Sequence, residues 1–398
     1  MSSPSSSKPA VESPLTGVCV LEMTEALAGP YGAMMLGDLG ADVIKIERPN
    51  VGDQSRQWGP PFLEGESAYF LSVNRNKRSI TLDLKSESDL QVLHELVIRS
   101  DVFLTNVPRL ESLRRARIDP DTLCKLNPRL IYAAISGYGH SGPKANRGGY
   151  DIIAQGEAGL MAITGGADDG PMRFPTPMSD ITAGIYSCIG ILSALYARGK
   201  SGRGQFIDVA LVDAQTTWLA NIGGTYFATG QRPKKIGNLH PTITPYQPIR
   251  ARDKFIVIAV GTEPLWQRFC RVLGVEDSLM RDPRFETNPR RNERRAELIP
   301  LLEQILSQRD ADQWIADFVA NEIPAGPINF PDETLGDEHL KARGMIVELD
   351  HPLIGLVRSI GNPIHLSDTP PTYRRYPPRL GEHNIEIRQW LGYNREQT

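Results

Sequence analysis

Several kinds of chemistry are ruled out by what this chain lacks. Its four cysteines, Cys19, Cys124, Cys188 and Cys270, stand far apart with no C-x-x-C pair. That argues against a zinc knuckle or a disulfide framework and suits a reducing compartment. The seven histidines are scattered and none forms an H-x-x-x-H pair, so no metal site is expected. There is no P-loop, and Gly199–Gly202 approaches a nucleophile elbow without a strand ahead of it. A net charge of −3 gives no electrostatic case for nucleic acid or an anionic membrane. No uninterrupted apolar segment approaches the roughly 20 residues that span a bilayer. The Ser/Pro-rich amino end, MSSPSSSKPAVESP, resembles neither a secretory nor a transit signal, and REQT at the other end is no peroxisomal address. A cytoplasmic protein is expected, with a mitochondrial one as the alternative.

At 398 residues the chain exceeds one typical core, and two domains are expected. Residues 1–15 read as a disordered tail, 16–229 as a large domain, 230–330 as a small domain, and 331–398 as a segment returning to the large one. Strands at Gly17–Glu22 and Ala41–Glu47 flank a helix from about Pro30 to Leu39, a βαβ unit with parallel strands. The loop ahead of that helix has no G-x-G-x-x-G. Further strands are predicted at Ser79–Asp83, Asp101–Thr105, Leu130–Ser136 and Phe206–Ala210. Helices are predicted at Glu87–Arg99, Asp151–Leu160 and Val212–Thr229. The alternation points to an α/β, Rossmann-like, mostly parallel sheet, with a smaller α+β domain after it. Basic clusters and Gly turns fall at strand ends, where such sheets bind ligands. The segment Asn74-Arg75-Asn76-Lys77-Arg78 is one; taken alone it reads as a solvated loop.

Met178–Gly204 is the most telling stretch. After Asp180 it runs nearly uncharged from Ile181 to Ala197, which reads as a buried helix. Asp180 stands at its amino end. It fits an N-cap, the commoner role for Asp, or a carboxylate kept ionised by the helix terminus for nucleophilic work.

Four segments together resemble the class III CoA-transferases, which include formyl-CoA and carnitine CoA-transferases and α-methylacyl-CoA racemases. They are Ala28-Gly29-Pro30 with Gly40–Glu47, NRNKRSITLDLK (Asn74–Lys85), GGYDIIAQ (Gly148–Gln155) and MSDITAG (Met178–Gly184). The likeness runs from about Gly17 to Asn384 and includes PAGPIN (Pro324–Asn329). GNLHPTITPYQ (Gly237–Gln247) and ELDHPLIG (Glu348–Gly355) look most like the succinyl-CoA-dependent glutarate or hydroxymethylglutarate branch.

The resemblance implies a transferase that carries CoA through a thioester on Asp180, with acyl-CoA and a small carboxylic acid as substrates and no tightly bound cofactor. Succinyl-CoA is the implied donor, and glutarate, hydroxymethylglutarate or itaconate the acceptor. It places CoA contacts at Leu27, Ala28, Arg48, Leu82, Lys85, Asn106, Val107, Pro108, Arg114, Ser136, Gly137, Tyr138 and Gly139. Arg75, Arg147, Arg173 and His240 are candidates for the acceptor's second carboxylate, and Gly237 begins a loop over the site. Leu27 stands where the formyl-CoA branch has Gln, which implies an acceptor other than oxalate. Racemases carry His at the position of Tyr150. A phenol, with a pKa near ~10, is a poor proton shuttle at neutral pH, and plain packing is the simpler role for Tyr150. An interlocked dimer of ring-like subunits is also implied. A racemase, a nicotinamide oxidoreductase and a non-catalytic CoA-binding protein are the competing readings.

Overall fold

A computed structural model describes residues 12–145 and 147–394; most of the expected disordered tail, residues 1–11, lies outside them. The chain divides into two compact units. The first runs to Leu160, resumes over Arg173–Gly230 and returns from Glu338; the second comprises Met161–Met172 and Gln231–Asp337. Residues 161–172, expected in the large domain, and 331–337, expected in the returning segment, thus lie in the second unit. The end of the expected tail is ordered too: Leu15 is buried in the core, and its N–H donates to Leu39 O at 3.0 Å.

The first unit is built on six strands: β1 (Cys19–Met23), β2 (Asp42–Glu47), β3 (Lys77–Thr81), β4 (Val102–Thr105), β5 (Ile131–Ser136) and β6 (Phe206–Ala210). Their order is β3-β2-β1-β4-β5-β6, parallel throughout. Val20 on β1 lies opposite Val43 on one side and Val102 on the other. Successive side chains alternate between faces. Val20, Val43, Val102 and Ile131 enter one core; Leu21, Ile44, Phe103 and Tyr132 enter the other. A parallel sheet covered on both sides needs such near-continuous apolar strands.

Helix α1 (Ala28–Asp38) and the long helix α4 (Met178–Ser201) cover the first face; α2 (Glu87–Ile98) helps cover the second. Between them in sequence lies α3 (Asp151–Glu157), and α5 (Leu211–Thr216) follows β6. Helices α1 and α4 meet backbone to backbone. A Cβ on Gly32 would come within 2.9 Å of Gly184 O, and one on Gly184 within 2.7 Å of Ala28 O.

Helix α4 is not buried all round. Thr182, Ala183, Ser187, Cys188, Ile191, Ala194 and Arg198 form a buried stripe, whereas Tyr186, Ile189 and Tyr196 are exposed. By length and composition alone α4 could cross a membrane, yet its stripe packs into the core, as expected of a buried helix. The predicted helix over Val212–Thr229 breaks at Thr217–Leu219. There the Thr216 and Thr217 hydroxyls donate to Val212 O and Ala214 O, both at 2.7 Å, a back-bonding that bends helices.

The basic segment Asn74–Arg78 is buried rather than solvated. Its charges find partners far away in sequence: Arg75 pairs with Asp38 at 2.7 Å, and Arg78 with Asp42 and Glu386. The returning segment also closes the edge of β3. Ser79 N–H donates to His383 Nδ1 at 3.2 Å, Thr81 N–H to Asn384 Oδ1 at 2.8 Å, and His383 N–H to Ser79 O at 2.9 Å.

In the second unit, antiparallel β7 (Tyr246–Arg250) and β8 (Phe255–Ala259) are joined on the far side of β8 by β9 (Ala325–Pro327). Trp266, Phe269, Leu298, Trp314 and Phe318 pack over them with Ile256 and Ile258.

Candidate active site

A cavity of about 490 Å³ opens at the carboxyl ends of β1, β2, β4 and β5. It lies where the strand order reverses between β1 and β4, the crevice that open α/β sheets offer to ligands. Thr24, Glu25, Ala26, Leu27 and Ala28 line it after β1, Glu47, Arg48, Asp53 and Gln54 after β2, and Asn106, Val107 and Pro108 after β4. Ser136 and Gly137 end β5, and Gly148, Gly149, Tyr150 and Asp180 complete this side. Gly137 and Gly149 touch so closely that a Cβ on either would sit 2.7 Å from the other's Cα.

Asp180 is the residue of α4 that lines the cavity. It does not cap its helix: Pro177 holds the cap position, and Asp180 lies in the first turn. The cap comes from α3. Asp151 Oδ1 accepts the Ser179 N–H at 2.9 Å, Asp151 Oδ2 accepts from Gln155 Nε2 at 2.8 Å, and Ser179 Oγ donates to Gln215 Oε1 at 2.7 Å. The free helix terminus that was to keep Asp180 ionised is thus answered by another carboxylate. Burial, with Asp151 adding a like charge, pushes the Asp180 carboxyl up to about 7. At neutral pH it is a mixture of acid and anion.

Of the expected CoA contacts, Leu27, Ala28, Arg48, Leu82, Asn106, Val107, Pro108, Ser136 and Gly137 line the cavity. Lys85, Arg114, Tyr138 and Gly139 are not among its lining. Lys85 and Arg114 are exposed nearby in sequence, and Tyr138 donates to Glu157 at 2.7 Å beneath the Arg147 guanidinium. Arg48 is the one cation among the lining residues, paired with Glu25 at 2.9 Å. Tyr150 is exposed and lines the cavity rather than packing in the core of this chain.

The acceptor-site cations fare less well. Arg75 is fully buried, with Nη1 donating to Ser359 Oγ and Ile360 O, and is structural. Arg147 pairs with Glu157 at 3.1 Å on the surface, and Arg173 is exposed. Gly237 and His240 belong to the second unit, where Gly237 N–H donates to Gly165 O and His240 Nδ1 accepts from Ile243 N–H.

Sequence reasoning missed Asp151 as the helix cap and Asp53 and Glu25 in the lining. Asp151 stood inside a quoted motif; nothing local marked the other two. A G-x-G-x-x-G string does occur, at Gly137–Gly142, but it follows β5 and opens no helix, so it is no dinucleotide fingerprint. Among the described residues no group of three or more His, Cys, Asp or Glu could hold a metal ion.

The fold and site are those of an α/β protein with a ligand-sized cavity at its strand ends, and comparison with known proteins gives the family. Residues 15–384 match CoA-transferase family III, and the chain belongs to that family. It is 40% identical over 380 residues to the succinate–glutarate CoA-transferase of Agrobacterium fabrum, covering 94% of each chain. It is 38% identical over 378 residues to the acetyl-CoA:oxalate CoA-transferase of Acetobacter aceti, covering 94% of this chain and 95% of that one. The crystal structure of a CAIB/BAIF family protein from Brucella suis superposes with a TM-score of 0.86 at 40% identity, covering 96% of this chain and all of that one.

Proposed function

We propose that this enzyme moves CoA from succinyl-CoA to a free dicarboxylate of the glutarate, hydroxymethylglutarate or itaconate type, through a covalent thioester on Asp180. The observation that carries the reading is the position of Asp180 in the cavity formed by the strand-end loops. Its carboxylate attacks the thioester carbonyl carbon of the donor and expels CoA thiolate, leaving a mixed anhydride. The thiolate attacks Asp180 Cγ and releases the donor acid, leaving the aspartyl-CoA thioester. The acceptor carboxylate then attacks Cγ, expelling the thiolate again, and the thiolate takes the acceptor's acyl carbon from the second anhydride. Asp180 leaves as a carboxylate, so no external base is consumed.

A carboxyl pushed up to about 7 suits this cycle. When ionised it is a stronger nucleophile than an ordinary aspartate, and its partial burial protects the anhydride from water. Arg48, freed from Glu25, is the cation best placed for an anionic part of the CoA chain. The alternative of a racemase is disfavoured because a phenol, Tyr150, stands where a proton-shuttling imidazole would be needed. A homodimer is part of the same reading; exposed Tyr196 and Phe227 on the first unit support it, and light scattering on the purified protein tests it.

Intact-mass spectrometry after adding succinyl-CoA and trapping with borohydride tests the mechanism. A modified residue other than Asp180, or active enzyme with no modification, overturns it. Acceptor identity is decided by a panel of acids, in which oxalate belongs because one relative carries it in its name.

A further inference from the structure

The loop joining β1 to α1 has a conformation that its own residues disfavour. Ala26 has a φ of +69°, a left-handed value that residues with a Cβ seldom adopt. Its neighbours Thr24, Glu25, Leu27 and Ala28 all line the cavity. Outliers of this kind persist where surrounding structure imposes them.

The imposing groups are buried ions. Asp53 Oδ1 accepts the Ala26 N–H at 3.0 Å and is itself fixed by the Ser55 N–H and hydroxyl at 2.8 and 2.7 Å. Asp53 Oδ2 pairs with Lys45 Nζ at 2.9 Å. Lys45 also donates to Thr24 O at 2.9 Å and pairs with Glu22 at 2.9 Å. The other Glu22 oxygen pairs with Lys77 at 2.8 Å, and Lys77 donates to Pro30 O at 2.9 Å. Two ammonium groups thus hold a carbonyl on either side of the strained residue, and a carboxylate holds its amide. Glu22, Lys45 and Lys77 are fully buried and Asp53 is 1% exposed. Four buried charges are costly to desolvate, and apolar side chains would fill the space as stably. What they supply is a fixed backbone. Downstream, Ala28 O rests against Gly184, one turn beyond Asp180.

We propose that Glu22, Lys45, Lys77 and Asp53 are positioning residues: Asp53, backed by Lys45, holds Ala26 left-handed and so sets Leu27 and Ala28 where the acyl-CoA thioester meets Asp180. This rests on the transfer reaction proposed above. Three variants test it: Asp53→Ala, the double variant Ala26→Gly/Asp53→Ala, and Ala26→Val. Steady-state transfer is measured alongside calorimetric titration with CoA alone and thermal melting.

Asp53→Ala should raise the acyl-CoA KM and weaken CoA binding by about ten- to a hundredfold, the scale of a misplaced contact. Adding Ala26→Gly should recover part of the loss, because glycine adopts φ +69° without a steric penalty. Ala26→Val leaves the ions intact but resists that φ, and should reproduce the weakened binding in a protein that melts cooperatively. If Asp53→Ala does not fold, the Ala26→Val result decides. Unchanged KM and CoA affinity in Ala26→Val, or a melting loss in Asp53→Ala without a binding defect, overturns the proposal. Weakened CoA binding in the variants, alongside a wild-type protein that transfers CoA to no acid, would instead overturn the reaction and leave the positioning role standing.

Discussion

The Ser179 amide donates to Asp151 Oδ1 at 2.9 Å, so the helix that carries Asp180 is capped by a carboxylate from a different helix. Asp151 therefore does two things at once. It completes the amino end of α4, and its charge makes ionisation of Asp180 harder.

Transfer should accordingly have an acidic limb set by Asp180. kcat/KM is expected to rise with pH through about 7, where the carboxyl ionises. Asp151→Asn keeps an oxygen for the Ser179 amide and removes the like charge. It should move the limb to lower pH while leaving part of the upward shift, since burial is the larger cause. A limb that stays in place in Asp151→Asn would show that Asp151 does not act on Asp180 through charge.

The same shift has a stability signature. A carboxyl raised on folding stabilises the native state below its unfolded value and loses that contribution as pH rises through the folded value. For Asp180 the window runs from 3.8 to about 7. Asp180→Asn should raise Tm by about 2–4 °C or more around pH 8 and change it little around pH 4. Melting curves at both pH values check the sign, and this variant should show no transfer.

Arg75 offers a contrast. Removing its guanidinium leaves the Asp38 carboxylate buried without its cation, and Ser359 Oγ and Ile360 O without their donor. Arg75→Ala should cost about 3–5 kcal/mol in urea unfolding, as breaking a buried pair does. The acceptor KM of whatever fraction remains folded should stay unchanged, which an acceptor-binding role would not allow.

Gly184→Ala places a Cβ 2.7 Å from Ala28 O, against backbone that cannot swing aside. We expect a loss of about 1–3 kcal/mol, the usual range for overpacking. A parallel loss of CoA affinity is expected because α1 begins at the cavity. Denaturant titration and calorimetry on one preparation read both.

Much of this was legible locally. β6 falls at the bounds expected from the sequence, and β4 and β5 begin one residue later than expected and end where expected, because apolar runs between Gly and Pro breaks mark short buried elements. The strand-end loops are legible for the same reason, whereas Asp180 reads locally as an N-cap and is singled out by the family resemblance. What stayed hidden depends on contacts distant in sequence. Nothing in Asn74–Arg78 shows that Asp38, Asp42 and Glu386 neutralise it, so a buried segment reads as a wet one. Nor does Asp180's neighbourhood show that its cap stands on another helix, about thirty positions earlier in the chain.

The closure of β3 by residues near His383 bears on how the chain is made. Until the residues around His383 leave the ribosome, the outer strand of the six has bare amides along it. A nascent chain that already holds all six strands would still expose an edge able to pair with a neighbour. Loss of the final few dozen residues should therefore yield aggregates rather than a smaller folded protein.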